Sequence, residues 1–264
     1  MAKKERLDQI LVKLSLVESR SKAQALIMAG NVRLEGQVAR KAGQKVALDA
    51  QIQVVKSLPY VSRGGLKLEG ALNEFGYDPT NQCCADVGAC TGGFTDLLLQ
   101  RGAKKVYAID VGYGQLAWKL RQDSRVVVIE RTNARYLKRL EDPIDLVVMD
   151  VSFISIRLLL PVLAQWLAPK GHVITLVKPQ FEAGRQDVGP SGVIRDPRIH
   201  RKVLQNIVDY ATTHNWQVHD ATVSPIHGQR GNQEFFLWLS PGAAKKQHDV
   251  VKQALQRAAM MKNK

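Results

Sequence analysis

Two hydrophobic periodicities divide the chain. Near the N-terminus, Leu7, Ile10, Leu11 and Leu14 recur at i, i+3, i+4 and i+7, which predicts a helix with one buried face. Ser19 or Ser21 can cap a second helix carrying Ala23, Leu26 and Ile27, and Gly30 is placed to end it in a left-handed conformation. Short alternating runs at 32–34 and 52–54, with Gly36 and Gly43 between them, predict a small sheet. From residue 82 onward, apolar runs of strand length alternate with helical stretches. Strands are expected at 83–87, 105–110, 125–129, 144–150 and 172–177, and helices around 95–101, 116–121, 158–167 and 198–214. That alternation predicts an α/β domain whose parallel sheet is covered on both faces. The last two runs, 217–223 and 234–239, have no helix between them and predict an antiparallel pair at one edge.

Composition then narrows the partners. At 264 residues and 29.3 kDa, two domains are expected, and 45% hydrophobic with 23% charged residues is a globular balance. The charge is lopsided: 38 Lys+Arg against 24 Asp+Glu leave +14, which points to a polyanion, either nucleic acid or an anionic membrane surface. Residues 1–60 carry 11 basic and 5 acidic side chains, and residues 241–264 carry 6 and 1, so the excess sits mainly at the two ends. The N-terminal basic residues Lys13, Arg20, Lys22, Arg33, Arg40, Lys41 and Lys45 make either a solvated face or an RNA-contacting one. Cys83, Cys84 and Cys90 lack a metal-ligand spacing and suit buried thiols in a reducing compartment, so no metal is expected. No apolar stretch follows Met1, and Asp145, Asp150, Arg157 and Pro161 interrupt the most apolar region. A soluble, cytoplasmic monomer is the expectation.

The chemistry-bearing residues cluster at the predicted strand ends. The first sheet strand runs into Asp86-Val87-Gly88-Ala89-Cys90-Thr91-Gly92-Gly93-Phe94, where glycines let a ligand approach the backbone. Asp110 closes the next strand, placed to accept hydrogen bonds from a ribose. A nicotinamide dinucleotide prefers G-x-G-x-x-G. This loop reads G-x-x-x-G-G, which favours a cofactor without a diphosphate. After the third strand, Asn133 or Thr132 could contact an adenine. Lys67, Asp150, Lys178 and Glu234, each taken alone, could equally be a surface charge, a helix cap or an edge-strand charge.

Residues 19–36 resemble the S4 type of RNA-binding module, and Asp86 to Phe94 resembles the S-adenosylmethionine loop of FtsJ-type ribose methyltransferases. Together with Ser62–Leu68, Met149–Ser155 and Val177–Glu182, the whole resembles the TlyA-type (haemolysin A-like) rRNA 2′-O-methyltransferase family. The resemblance implies an S4-like α+β domain at 1–56, a linker at 57–61 and a Rossmann-like methyltransferase domain at 62–241. A basic tail at 242–264 lies outside the match; its Lys245, Lys246, Lys252, Arg257 and Lys262 among alanines and glutamines suggest a basic helix, there either to add RNA affinity or frayed. It further implies a tetrad of Lys67, Asp150, Lys178 and Glu234, with Lys178 as base, its pKa lowered by burial and by nearby Lys67. Asp86, Gly88, Cys90, Thr91, Gly92, Gly93, Phe94, Asp110 and Asn133 would bind S-adenosylmethionine. Arg63, in Arg63-Gly64-Gly65, would clamp RNA phosphate or belong to a flexible turn, and the loop at 184–197, with Arg185 and Arg195, would be a lid or an RNA-facing element. The expected activity is 2′-O-methylation of ribosomal RNA, with cytidine as acceptor. A catalytically silent RNA-binding protein is the alternative. Membrane lysis is disfavoured, because no spanning or strongly amphipathic helix is visible.

Overall fold

The structure, a computed structural model, describes residues 4–28, 30–55, 58–243 and 249–262. The chain forms two compact units, 1–59 and 60–264. In the first, β1 (Lys4–Arg6) leads into α1 (Leu7–Lys13) and α2 (Arg20–Met28), followed by β2 (Val32–Leu34), β3 (Gln37–Val38), β4 (Lys45–Ala47) and β5 (Ile52–Val54). Strand β4 pairs with β1, and β3, β2 and β5 form a three-stranded antiparallel sheet. Ser19 is the cap of α2, accepting from the Lys22 N–H at 3.2 Å, and Gly30 follows at φ 73°. Leu7, Ile10, Leu11, Ala23, Ile27 and Val32 share one core. Leu14 does not join it: α1 ends at Lys13, Ser15 turns the chain at φ 54°, and Leu14 is left exposed.

That core encloses a charge. Asp8, 0% exposed, accepts from Arg6 at 3.0 and 2.9 Å, from Arg20 Nε at 3.0 Å and from Gln24 Nε2 at 2.9 Å. The Arg6 guanidinium holds this carboxyl well below the usual carboxylate range, outweighing burial, which alone would raise it.

The second unit opens with α3 (Arg63–Phe75). There follow β6 (Cys83–Val87), α4 (Gly93–Gln100), β7 (Lys105–Ile109), α5 (Trp118–Arg121), β8 (Val126–Ile129) and β9 (Ile144–Met149). Then come α6 (Leu160–Trp166), β10 (Leu167–Val177), α7 (Pro179–Glu182), α8 (Pro197–Thr213), β11 (Trp216–Val223), β12 (Phe235–Pro241) and α9 (Val250–Lys262). The seven strands lie in the order β11-β12-β10-β9-β6-β7-β8, parallel except for β12, which runs antiparallel to both neighbours. Side chains alternate between two cores. Ile144, Val147, Met149, Phe235 and Leu237 pack beneath α6, α8 and α9, while Leu146, Val148 and Phe236 pack beneath α3 and α4. The order reverses between β6 and β9, opening a crevice at the strands' carboxyl ends.

Three elements differ from the sequence expectation. Residues 63–65 begin a thirteen-residue helix capped at its far end by Gly76 (φ 62°), so Arg63-Gly64-Gly65 is the first turn of α3 and not a flexible turn. Its glycines lower helix propensity but permit close packing: a Cβ at Gly65 would lie 2.3 Å from the Tyr60 ring. Tyr60 and Val61, expected in the linker, are fastened to the second unit. Tyr60 Oη donates to Glu69 at 2.8 Å, and the Val61 N–H donates to Asp96 at 2.8 Å; of the other expected linker residues, 57–59, residue 57 lies outside the described residues. The described residues 249–262 of the tail carry the expected helix, and it is docked, not frayed. Helix α9 buries Val250, Val251, Ala254 and Ala258, and each of these two valines contributes about 1.5–3 kcal/mol when fully buried. Arg257 donates to the Ala221 carbonyl at 2.7 Å and pairs with Asp220 and Glu74. Lys245 and Lys246 lie outside the described residues.

Candidate active site

Two joined cavities occupy the crevice. One of about 380 Å³ is lined by Arg63, Lys67, Asp86, Cys90, Thr91, Gly93, Phe94 and Asp150 among others. One of about 720 Å³ is lined by Asp110, Thr132, Asn133 and residues 150–155. Gly88, Cys90 and Asp150 border both. Gly88 adopts φ 85°, and a Cβ there would sit 2.6 Å from the Asp150 carbonyl oxygen, so glycine is required for β6 and β9 to approach. Gly93 is equally tight, its Cβ position lying 2.2 Å from Ser62 Oγ. Gly92 lines neither cavity. Its φ of 93° and a would-be Cβ 2.2 Å from Leu120 Cδ1 give this glycine a packing role.

Around the smaller cavity, Asp86 is 1% exposed. Its Oδ2 accepts from the Thr95 N–H at 2.9 Å and from Thr95 Oγ1 at 2.7 Å, while Oδ1 is buried without a hydrogen-bond partner. Burial pushes this carboxyl up to about 7, against the opposing pull of both Thr95 bonds. Asp110 uses both oxygens on backbone, accepting from the Cys90 N–H at 2.8 Å and the Gly112 N–H at 2.7 Å; the remaining lone pairs face the larger cavity. Asn133 Oδ1 accepts from the Arg135 N–H, and Thr132 donates to the Glu130 carbonyl. Both residues line the larger cavity, and nothing in their positions favours one over the other as an adenine contact.

The four tetrad positions come together as two ion pairs. Lys67 Nζ donates to Glu234 Oε2 at 2.6 Å, with the two side chains 12% and 2% exposed. Lys178 Nζ lies 2.5 Å from Asp150 Oδ1, a contact of charges more than an aligned hydrogen bond, and donates to Ser152 Oγ at 2.8 Å. Lys67 and Asp150 line the smaller cavity, and Glu234 and Lys178 stand behind them as partners. Gly228 is tied to this arrangement: a Cβ on it would lie 2.0 Å from Glu234 Oε1. Sequence reasoning assigned no role to Thr95, Ser152, Phe153 or Glu182. The signal for each is three-dimensional, a hydrogen bond across the crevice or, for Phe153, a positive φ of 63° with an exposed ring.

The basic residues sort into two kinds. Lys13 pairs with Glu5, Arg20 with Asp8 and Lys22 with Glu18. Arg33, Arg40, Lys41 and Lys45 are exposed, with no ion pair among the described residues. Arg40 and Lys41 border a surface hollow of about 320 Å³. Arg63 donates to the His227 carbonyl at 3.1 Å and lines the smaller cavity. The 184–197 loop is pinned by Asn232, which accepts from the Ile194 N–H at 2.9 Å and donates to the Gly192 carbonyl at 3.0 Å. Arg195 on that loop is exposed. Among the described residues no helix is long and apolar enough to cross a membrane, and no acidic, His or Cys group could hold a metal.

Comparison with known proteins agrees with this geometry. The FtsJ-like methyltransferase family model matches residues 60–240, and the S4 domain model matches residues 5–52. The chain is 45% identical to the 16S/23S rRNA (cytidine-2′-O)-methyltransferase TlyA of Mycobacterium tuberculosis, over 90% of this chain and 91% of that one. It is 45% identical to hemolysin A of Brachyspira hyodysenteriae, over 87% of this chain and 97% of that one. A solved structure of a Streptococcus thermophilus protein that carries a hemolysin name superposes with a TM-score of 0.77 at 41% identity, covering 100% of this chain and 98% of the other. With an S4 domain followed by a methyltransferase sheet and relatives this similar along nearly their whole length, the chain belongs to the TlyA-type family of FtsJ-like methyltransferases.

Proposed function

We propose that this protein transfers a methyl group from S-adenosylmethionine to a ribose 2′-hydroxyl of ribosomal RNA, with a cytidine as acceptor. The observation that carries the reading is the convergence of Lys67–Glu234 and Lys178–Asp150, four residues from distant points of the chain, on the crevice where the strand order reverses. The residues present suit the methyl donor. A buried, unpartnered Asp86 Oδ1 awaits a donor or a cation, Gly88 leaves backbone bare at the cavity wall, and Asp110 offers acceptors for a ribose. When bound, the donor supplies a sulfonium carbon open to in-line attack.

The protein's own groups then have divided roles. Lys178 is the base: its Nζ, held by the wall residues Asp150 and Ser152, first gives up to solvent the proton it carries in the ion pair and then takes the proton of the attacking hydroxyl. Asp150 orients that amine and faces positive charge in the cavity. Lys67, fixed by buried Glu234, stabilises the developing alkoxide. Capture of the RNA falls to exposed cations. Arg33, Arg40 and Lys41 on the S4 domain engage phosphates, as does a second run, Arg131, Arg135, Lys138 and Arg139, uninterrupted by any acid. Arg131 lies over the exposed Tyr113 ring at 4.1 Å, and Phe153 offers a face on which an unstacked base can rest.

Transfer of labelled methyl groups to ribosomes or isolated subunits tests this. Lys178→Ala should lower the rate by about 10²–10⁴-fold with RNA binding unchanged. A wild-type protein that binds RNA but transfers no methyl group would show the domain to be catalytically silent.

A further inference from the structure

The loop at 150–156, which walls the larger cavity, is fastened at two points by the short segment 178–182. The first is Lys178, through Asp150 and Ser152. The second is Glu182, whose side chain is 3% exposed. Its Oε2 accepts from Ser155 Oγ at 2.7 Å, and its Oε1 accepts from the Ile156 N–H at 2.7 Å. Ser155 Oγ also accepts from Arg157 Nε at 3.0 Å, and Arg157 Nε lies 3.9 Å from the same carboxylate. Both oxygens of a buried carboxylate are therefore committed to the loop. Between the two fastenings stands Phe153, at φ 63°, a conformation that a bulky residue keeps only where its surroundings enforce it. Its ring is 89% exposed, with its centroid 4.7 Å from that of Phe181 in the fastening segment.

We propose that Glu182 is a positioning residue for methyl transfer. By holding the far end of the loop it keeps Asp150 and Ser152 on Lys178 and holds Phe153 in its left-handed conformation at the cavity. This rests on the methyltransferase reading above. Lys178 alone does not suffice, because a loop tied at one end is free to relax Phe153 toward an ordinary backbone region. A carboxylate suits the task, since one buried group accepts from a hydroxyl and an amide at once and does so more strongly than a neutral acceptor. Glutamine keeps the shape and can still accept from Ile156.

The test compares full-length wild type, Glu182→Ala, Glu182→Gln and Ser155→Ala at matched folded fraction. Steady-state methylation of ribosomal subunits is measured alongside hydrogen exchange at the Ile156 amide. Glu182→Ala should lower kcat about tenfold or more and leave KM for RNA within about threefold, the pattern of a misplaced reacting group. Its Ile156 amide should exchange about tenfold faster. Glu182→Gln should recover most of both, and Ser155→Ala should fall between. Unchanged kcat in Glu182→Ala, a rise in KM alone, or a glutamine variant no better than alanine would overturn the proposal. If the wild type itself transfers no methyl group, the functional reading fails and the exchange measurement decides the clamp: faster exchange in Glu182→Ala upholds it, and equal protection overturns it.

Discussion

Asp8 in the S4 domain and Asp86 in the methyltransferase domain are both shielded from solvent, at 0% and 1% exposure, and both sit beside a helix start. Their surroundings differ in kind. Asp8 is saturated by two arginines and an amide, and its carboxyl is held low. Asp86 has one threonine for one of its oxygens, and its carboxyl is raised to about 7. Neither carboxyl reaches water, but Asp8 lies just beneath two half-exposed arginines whereas Asp86 lies deep in the sheet, so depth and partners together set the difference. A fully compensated charge is part of the architecture. A buried carboxyl left short of partners beside a cavity is stable only as a site awaiting one.

The largest expected effect tests Asp86 directly. An unfolded chain loses that proton near 3.8, whereas the folded, ligand-free protein keeps it to about 7. Between those values the folded state binds the extra proton, so stability falls as pH rises, by about 1.4 kcal/mol per unit and on the order of 4 kcal/mol across the window. Asp86→Asn, which can still accept from Thr95, should remove that slope and be the more stable protein at pH 7.5. Denaturant unfolding at pH 4.5, 6 and 7.5 measures it, and parallel curves for the two proteins would refute the assignment. The same variant should bind S-adenosylmethionine about tenfold more weakly or worse, having lost a charge-assisted partner.

Asp8 should behave with the opposite sign. Its folded value lies below the unfolded one, so its contribution is present above the ordinary carboxylate range and lost as pH falls through the folded value. Asp8→Ala should cost about 2 kcal/mol near neutrality, less than a wholly buried pair because Arg6 and Arg20 are 40% and 52% exposed and can turn to water. Acidification should narrow the gap between variant and wild type. A gap that widens toward low pH would mean that the arginines do not hold this carboxylate.

How much of this contrast the sequence disclosed follows from the range of each interaction. The glycine loop, Asp110 and the strand pattern are local signals, and they placed the sheet and the crevice. The tetrad was legible only through family resemblance, because Lys67 and Glu234 meet across 167 residues of chain. The packing of Gly92 against Leu116 and Leu120 is not visible in the sequence of the loop. Helix α3 was hidden by three glycines whose purpose is close packing; the helical character of α9 was legible in its alanines and glutamines, but the docked face of Val250, Val251, Ala254 and Ala258 was not. Charge counting hid a further feature. The middle of the chain is nearly balanced in sum, yet residues 131–139 carry four cations and no acid. Summation over a domain averages away such segregation.

The smallest expected effect separates the two kinds of basic residue in the S4 domain. Lys22, paired with exposed Glu18 just ahead of α2, already spends its charge locally, and such an exposed pair contributes about 0–1 kcal/mol. Arg40 and Lys41 have no such partner among the described residues and border one hollow. If phosphate capture is their work, Arg40→Ala and Lys41→Ala should each weaken RNA binding and reduce the slope of log K against log salt by about 0.7–0.9, one phosphate contact apiece. Lys22→Ala should change that slope by no more than about a third as much, because a lysine that stays paired with Glu18 contacts no phosphate. None of the three substitutions should move the unfolding midpoint by much, since all three side chains are exposed. Binding titrations from 50 to 200 mM salt provide the comparison. Equal slopes for Lys22→Ala and Arg40→Ala would mean that RNA displaces the Lys22–Glu18 pair on contact, and that an ion pair in the free protein does not mark a residue as lost to the ligand.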